Sequence, residues 1–430
     1  MVNYHEVLKN LSARLVKAQQ PIRILDALKW NNNLQDFFFK HHCKELPPVT
    51  PQYYQSIALR FNIEEKLQEF YAIEKDIKKQ LGVNNNVGKI MDRMCQEYRT
   101  VVRMLQARGS KQFSELSKQL YGSASDAFYT EGPTLQDLAL LLTQTLQSIH
   151  HCIKPNEADE KQFTSCEAVA ILSERLQRYF KWPEDEAAIT RVKLSDDIIA
   201  DASAGAEHIK IRSKARFSMR DLKILEVHEG WVHLGTTLNG LHQPICTFLS
   251  KGPPSSTVTQ EGLAIIMEVF TFASFPKRMQ GLSDRITAIA MAEAGADFIQ
   301  VFNFFITQGL LSTEECYNRT VRVFRGSLPN AAPFTKDLVY NKGFILIYNY
   351  IRLSLQQGRL EKIPLLFLGK TTLEDVHVLS DLVEEGIVVP PKYIPEPFSD
   401  LAALSSWMSY SLFLNQIDLK HLALKYKDIL

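Results

Sequence analysis

The residues of this chain best suited to chemistry are His228-Glu229-Gly230-Trp231-Val232-His233. They read HExxxH, one residue longer than the HExxH of the common zinc peptidases. Imidazole nitrogens are zinc donors, and a carboxylate beside a ligand but not itself a ligand can serve as general base. The added residue has a geometric consequence. On a regular α-helix, residues four apart differ by about 40° in direction, whereas residues five apart differ by about 140°. Two imidazoles at that spacing meet one ion only where the helix widens, in a π-type turn whose hydrogen bonds run i to i+5. Such a turn is predicted between His228 and His233, and Gly230, lacking a side chain, would ease it.

A two-histidine zinc site with an open position takes a carboxylate as its third ligand. Thr259-Gln260-Glu261-Gly262-Leu263-Ala264 opens a later helix and puts Glu261 in its first turn, a place that also favours a carboxylate without any metal. No HExxHxxGxxH continuation exists, which excludes a third histidine of the metzincin kind. Glu268, seven residues on, shares the face of Glu261 and could orient a ligand histidine. Trp231 reads as a helix-packing residue.

These groups need elements to hold them. Ser218-Met219-Arg220-Asp221 is a capping box that starts the motif helix, and Asn239-Gly240 reads as its αL stop. Apolar spacing predicts helices over 63–81, 87–107 and 134–152, with breaks at Leu46-Pro47-Pro48, Asn84-Asn85-Asn86 and Gly132-Pro133. The polar stretch 154–160 marks a boundary between an N-terminal helical region (1–153) and a second domain (154–430), and Thr164-Ser165-Cys166-Glu167 caps the helix after it. Alternating residues at 189–195 and 208–212 predict two strands, and the second could offer its edge to an extended peptide. The fold class is therefore α+β, predominantly α-helical, with a small sheet.

Lys plus Arg (49) balances Asp plus Glu (48), so no global field favours nucleic acid or an anionic membrane. Six cysteines without a CxxC pair argue against a thiolate zinc site and a disulfide scaffold, and read as buried free thiols. The N-terminus does not read as a signal peptide, and the apolar runs are too short to span a bilayer, so a cytoplasmic location is expected.

HEGWVHLGTTLNG (228–240) followed by TQEGLA (259–264) resembles the QEGLA-motif family. That family includes bacterial proteins labelled flavohaemoglobin expression-modulating and the eukaryotic microtubule-associated tyrosine carboxypeptidases. LSDDIIADASAG (194–205), RVFRG (322–326) and FTKDLVYNKGF (334–344) are similar to it as well. The resemblance covers roughly residues 155–390. It implies a zincin-like, gluzincin-type metallopeptidase with Zn2+ on His228, His233 and Glu261 and with Glu229 as base. It also implies a carboxypeptidase acting on a peptide or protein C-terminus, with tyrosine as one candidate for the residue removed. Neutral charge and the lack of a basic tail speak against tubulin as the substrate.

Two further roles need residues. Tyr340 is the candidate donor to an oxyanion. Arg322, Arg325 and Lys336 are the candidates to grip a terminal carboxylate, for which a planar guanidinium fork is well matched. The rival readings are a non-catalytic regulator on the same fold and a hydrolase of non-peptide amides.

Overall fold

A computed structural model of the 430-residue chain describes residues 3–149, 152, 157–182, 191–196, 198, 201–205 and 208–427. Helices dominate and two small sheets accompany them, as the predicted class requires. The long N-terminal helices fall where apolar spacing places them, at Ile63–Leu81 and Asn86–Gln106. Asn62 and Asn85 cap them, their side chains accepting from the amides of Glu65 and Gly88. The third expected helix runs over Leu135–Ile149. Leu8, Phe70 and Met91 from this region share one apolar core with Val227, Leu263 and Ile347 from the second half of the chain. The boundary expected at 153/154 lies outside the described residues.

The sheet beside the motif helix has three strands, β2 (Val192–Ser195), β3 (Ala202–Ala204) and β4 (Ile209–Arg212), following β1 (Phe163–Thr164), which pairs antiparallel with β5 (Arg216–Phe217). Residues 189–190 of the first expected strand lie outside the described ones. The order is β2-β4-β3, with β4 parallel to β2 and antiparallel to β3. This corrects one expectation. The segment 208–212 cannot lend its edge to a peptide, because both edges of β4 are already paired. Its alternation reflects burial of Ile209 and Ile211 in the middle of the sheet. The outer edges belong to β2 and β3, and the Ala-Ser-Ala sequence of β3 carries no strand signal.

The motif helix is built as predicted in its middle and not at its end. Ser218 and Asp221 form the capping box, an α-helical segment runs over Met219–Leu225, and Glu226–Leu234 is π-helical. A widened turn leaves carbonyls without their usual i+4 partners. Here hydroxyls fill in: Thr236 Oγ1 donates to Val232 O at 2.7 Å and Thr237 Oγ1 to His233 O at 2.8 Å. Gly230 answers to packing, since a Cβ there would overlap Leu176 on the helix Ser165–Phe180.

The helix does not stop at Asn239-Gly240 but continues as Gly235–Leu241, capped by His242 in the right-handed region. Asn239 is buried. Its amide donates to Phe367 O and Tyr393 O, both at 2.8 Å, and its oxygen accepts from Tyr393 N at 2.9 Å. The αL stop is thereby corrected: Asn239 bolts two distant loops to the helix.

The Glu261-bearing helix, Ser256–Phe270, begins just after Pro253-Pro254, earlier than expected. Glu261 therefore sits in its second turn, beyond the reach of the first-turn dipole argument. This helix crosses Val339–Gln356 backbone to backbone. A Cβ on Gly262 would overlap the carbonyl of Gly343, and one on Gly343 would overlap Val258 O.

Among the described residues no helix is long and apolar enough to cross a membrane. The cysteines are all free, but Cys152 and Cys166 are exposed rather than buried.

Candidate metal and hydrolytic site

The π-turn brings both imidazoles to one side. Their ring centres lie 4.8 Å apart at 84°, and both aim Nε2 at Glu261 from the neighbouring helix. Glu261 Oε2 stands 3.2 Å from His228 Nε2 and 3.4 Å from His233 Nε2. One donor atom from each of the three residues lies within 4.8 Å of the others, and this is the one group of at least three such residues so arranged among the described residues. His228 and Glu261 are buried and His233 is nearly so.

Beneath the trio lies a charge relay that the sequence only half disclosed. Glu268 Oε1 is 2.7 Å from His228 Nδ1, and its side chain has no exposure. Arg278, on the next helix Pro276–Glu293, donates to both Glu268 oxygens, at 3.0 and 2.7 Å. Burial raises the Glu268 carboxyl, but Arg278 and His228 outweigh it and hold the acid down at about 2. An ionised Glu268 at Nδ1 keeps a proton there and leaves Nε2 as the atom aimed at Glu261.

Burial likewise opposes charge on His228 and Glu261. The two carboxylates nevertheless push His228 up to about 10, and the two imidazoles hold Glu261 well below its usual range. A divalent cation would meet the same carboxylates and exchange with the imidazolium proton. Two neutral imidazoles and a carboxylate, with a carboxylate behind one imidazole, form a donor set that fits zinc.

Glu229 follows His228 on the same π-turn. Its Oε2 accepts from Ala204 N of β3 at 2.6 Å, which fixes the carboxylate between the motif helix and that edge strand. Lys370, which sequence reasoning missed, ties the two helices of the site together. Its Nζ donates to His233 O and Thr236 Oγ1 at 3.0 Å and to Gln260 Oε1 at 2.8 Å, joining the motif helix to the Glu261 helix. Burial pushes this ammonium down to about 7.

Tyr340 is brought to the site by the Gly262–Gly343 crossing. Its ring lies 6.4 Å from that of His228, and Glu261 is the strongest charge acting on its hydroxyl. The three cations proposed from the sequence part company here. Arg322 is committed to Asp337, with hydrogen bonds of 2.6 and 2.9 Å, so its fork is not free for a carboxylate. Arg325 is buried against Phe334, its Nε without a partner. Lys336 is half-buried, and Glu261 is the strongest charge acting on it. Trp231 stacks on Tyr179, ring centres 4.6 Å apart, and packs as expected.

No curated protein matches this chain. A family model described as microtubule-associated tyrosine carboxypeptidase matches residues 36–416, a span that takes in every residue of the site and most of the N-terminal helices. The chain belongs to the microtubule-associated tyrosine carboxypeptidase family.

Proposed function

We propose that this protein is a zinc-dependent carboxypeptidase on a zincin-like, gluzincin-type core, releasing one residue from a peptide or protein C-terminus. The observation that carries the reading is the convergence of His228, His233 and Glu261 on one point, across a π-turn that HExxxH spacing demands. The residue released is proposed to be tyrosine, in keeping with the family description.

Zinc held by the trio would supply Lewis acidity, bringing the pKa of a water to about 7 and polarising the scissile carbonyl. Glu229 would take the proton of the attacking water and return it to the departing amine. Its hydrogen bond to Ala204 N holds the carboxylate where β3 could run beside an extended substrate, main chain to main chain. Tyr340 would donate its hydroxyl proton to the oxygen that gains charge. Glu268 and Arg278 would keep the Nδ1 proton of His228 in place, which leaves Nε2 as the donor.

Two outcomes follow. Peptides of common sequence ending in Tyr, Phe, Leu or Lys, followed by mass spectrometry, should lose a single terminal residue, fastest for Tyr. Internal cleavage, or no cleavage by zinc-loaded protein, would contradict the reading. Glu268→Gln should weaken zinc binding by about 10- to 100-fold, seen by competition with a chromogenic chelator. An unchanged affinity would mean that Glu268 only neutralises Arg278.

A further inference from the structure

The helices Pro276–Glu293 and Thr313–Phe324, with the turn that follows the second, hold more guanidinium charge than the protein neutralises. Arg278 is paired with Glu268 and Arg322 with Asp337. Arg285, Arg319 and Arg325 have no ion pair or side-chain hydrogen bond among the described residues. Arg325 retains only 5% exposure, and its Nε is unpartnered, as is the buried Nη1 of Arg285. The nearby Asp284, buried against Gln280, offsets part of the charge on Arg319, and Asp337, already paired with Arg322, part of that on Arg285 and Arg325. Burial and mutual repulsion pull all three guanidinia down, Arg319 and Arg325 to about 10. Buried cations left unpaired are costly, and such a surplus marks a place prepared for an anion.

Position narrows the choice. The Arg285 guanidinium lies 4.5 Å from the centre of the Tyr340 ring, and that ring lies 6.4 Å from His228. In a substrate losing its last residue, the terminal carboxylate follows the scissile carbonyl by one residue, about 3.8 Å of chain. A receptor one tyrosine ring away from the metal trio matches that reach. Arg319 lies beside Gly281 and Arg325 on Phe334, whereas Arg285 lies over the Tyr340 ring itself. Lys336 has Glu261 as its strongest charge partner, and its ammonium lacks the planar fork.

We propose that Arg285, held on Tyr340 and backed by Arg325, receives the α-carboxylate of the substrate's last residue and so restricts the site to free C-termini. This rests on the carboxypeptidase reading for its substrate. It differs from the sequence expectation, which placed that role on Arg322, Arg325 or Lys336.

The test compares a Tyr-terminated peptide as free acid and as C-terminal amide. Binding is measured by calorimetry on the full-length, zinc-loaded Glu229→Gln protein, with and without Arg285→Gln. The free acid should bind about 100-fold more tightly than the amide, as a charge-assisted bidentate contact implies, and Arg285→Gln should bind the two alike. Arg285→Lys should restore part of the difference. A third peptide, with internal acids replaced by glutamine, should keep the preference. If amidation is harmless and loss of internal acids is not, side-chain carboxylates are being read and the assignment is overturned. Retention of the full preference in Arg285→Gln also overturns it. Should that variant fail to fold, Arg285→Lys must still lower the preference several-fold, and an unchanged preference refutes the proposal. A wild-type protein that prefers free acids yet releases no residue would refute the peptidase reading alone and leave the Arg285 subsite standing.

Discussion

Glu229→Gln is expected to cut release of the terminal residue by a thousandfold or more, with zinc content and melting temperature unchanged. General acid–base groups contribute about 10²- to 10⁴-fold, and this one is asked to act in both halves of the reaction. The substitution is nearly isosteric. Its amide oxygen can still accept from Ala204 N, the contact that now holds Glu229 Oε2 at 2.6 Å, so β3 and the π-turn should keep their places. Glu229 is not one of the three residues that converge as a possible metal site, and for that reason zinc should stay. Activity above about a tenth of wild type would move the base elsewhere. Loss of zinc together with activity would make Glu229 a ligand and undo the division of roles within HExxxH.

The second large effect is expected at a residue with no side chain. Gly262→Ala places a methyl into the carbonyl of Gly343, where helix crosses helix with no atom free to turn aside. Backbone cannot rotate away as a side chain can, so the helices Ser256–Phe270 and Val339–Gln356 must part. Overpacking of this kind costs about 3 kcal/mol or more. The neighbouring Glu261 shifts with its helix and Tyr340 with the other. A fall of several degrees in melting temperature is expected, with zinc affinity reduced by at least tenfold. Thermal scans and chelator competition on the same preparation would show it. An alanine variant of wild-type stability and zinc affinity would mean that the crossing can open without disturbing the site.

Much of the site could be read from residue spacing, because spacing is where its physics lies. Two histidines five apart cannot share an ion on an α-helix, so their spacing implies the π-turn found at Glu226–Leu234. Glu268 followed from its position seven residues past Glu261. What could not be read is whatever depends on elements meeting across the fold. β3 is Ala-Ser-Ala and has no branched or aromatic residue to announce it, yet it forms an outer edge of the sheet and holds Glu229. Asn239-Gly240 resembles a helix stop. Gly240 is instead small because Leu249 O presses on it, and Asn239 is polar because Phe367 and Tyr393 need it. Arg322 looked free until Asp337 appeared beside it, and Arg278 and Lys370 gave no local sign of their partners.

The central claim is that His228, His233 and Glu261 together bind one zinc ion. It is tested most directly by the metal content of the purified full-length protein, measured by plasma mass spectrometry beside His233→Ala. The account predicts about one zinc per chain in the wild type and nearly none in the variant, both folded by circular dichroism. A wild type that stays free of zinc after reconstitution, or a folded His233→Ala protein that keeps its zinc, would contradict it.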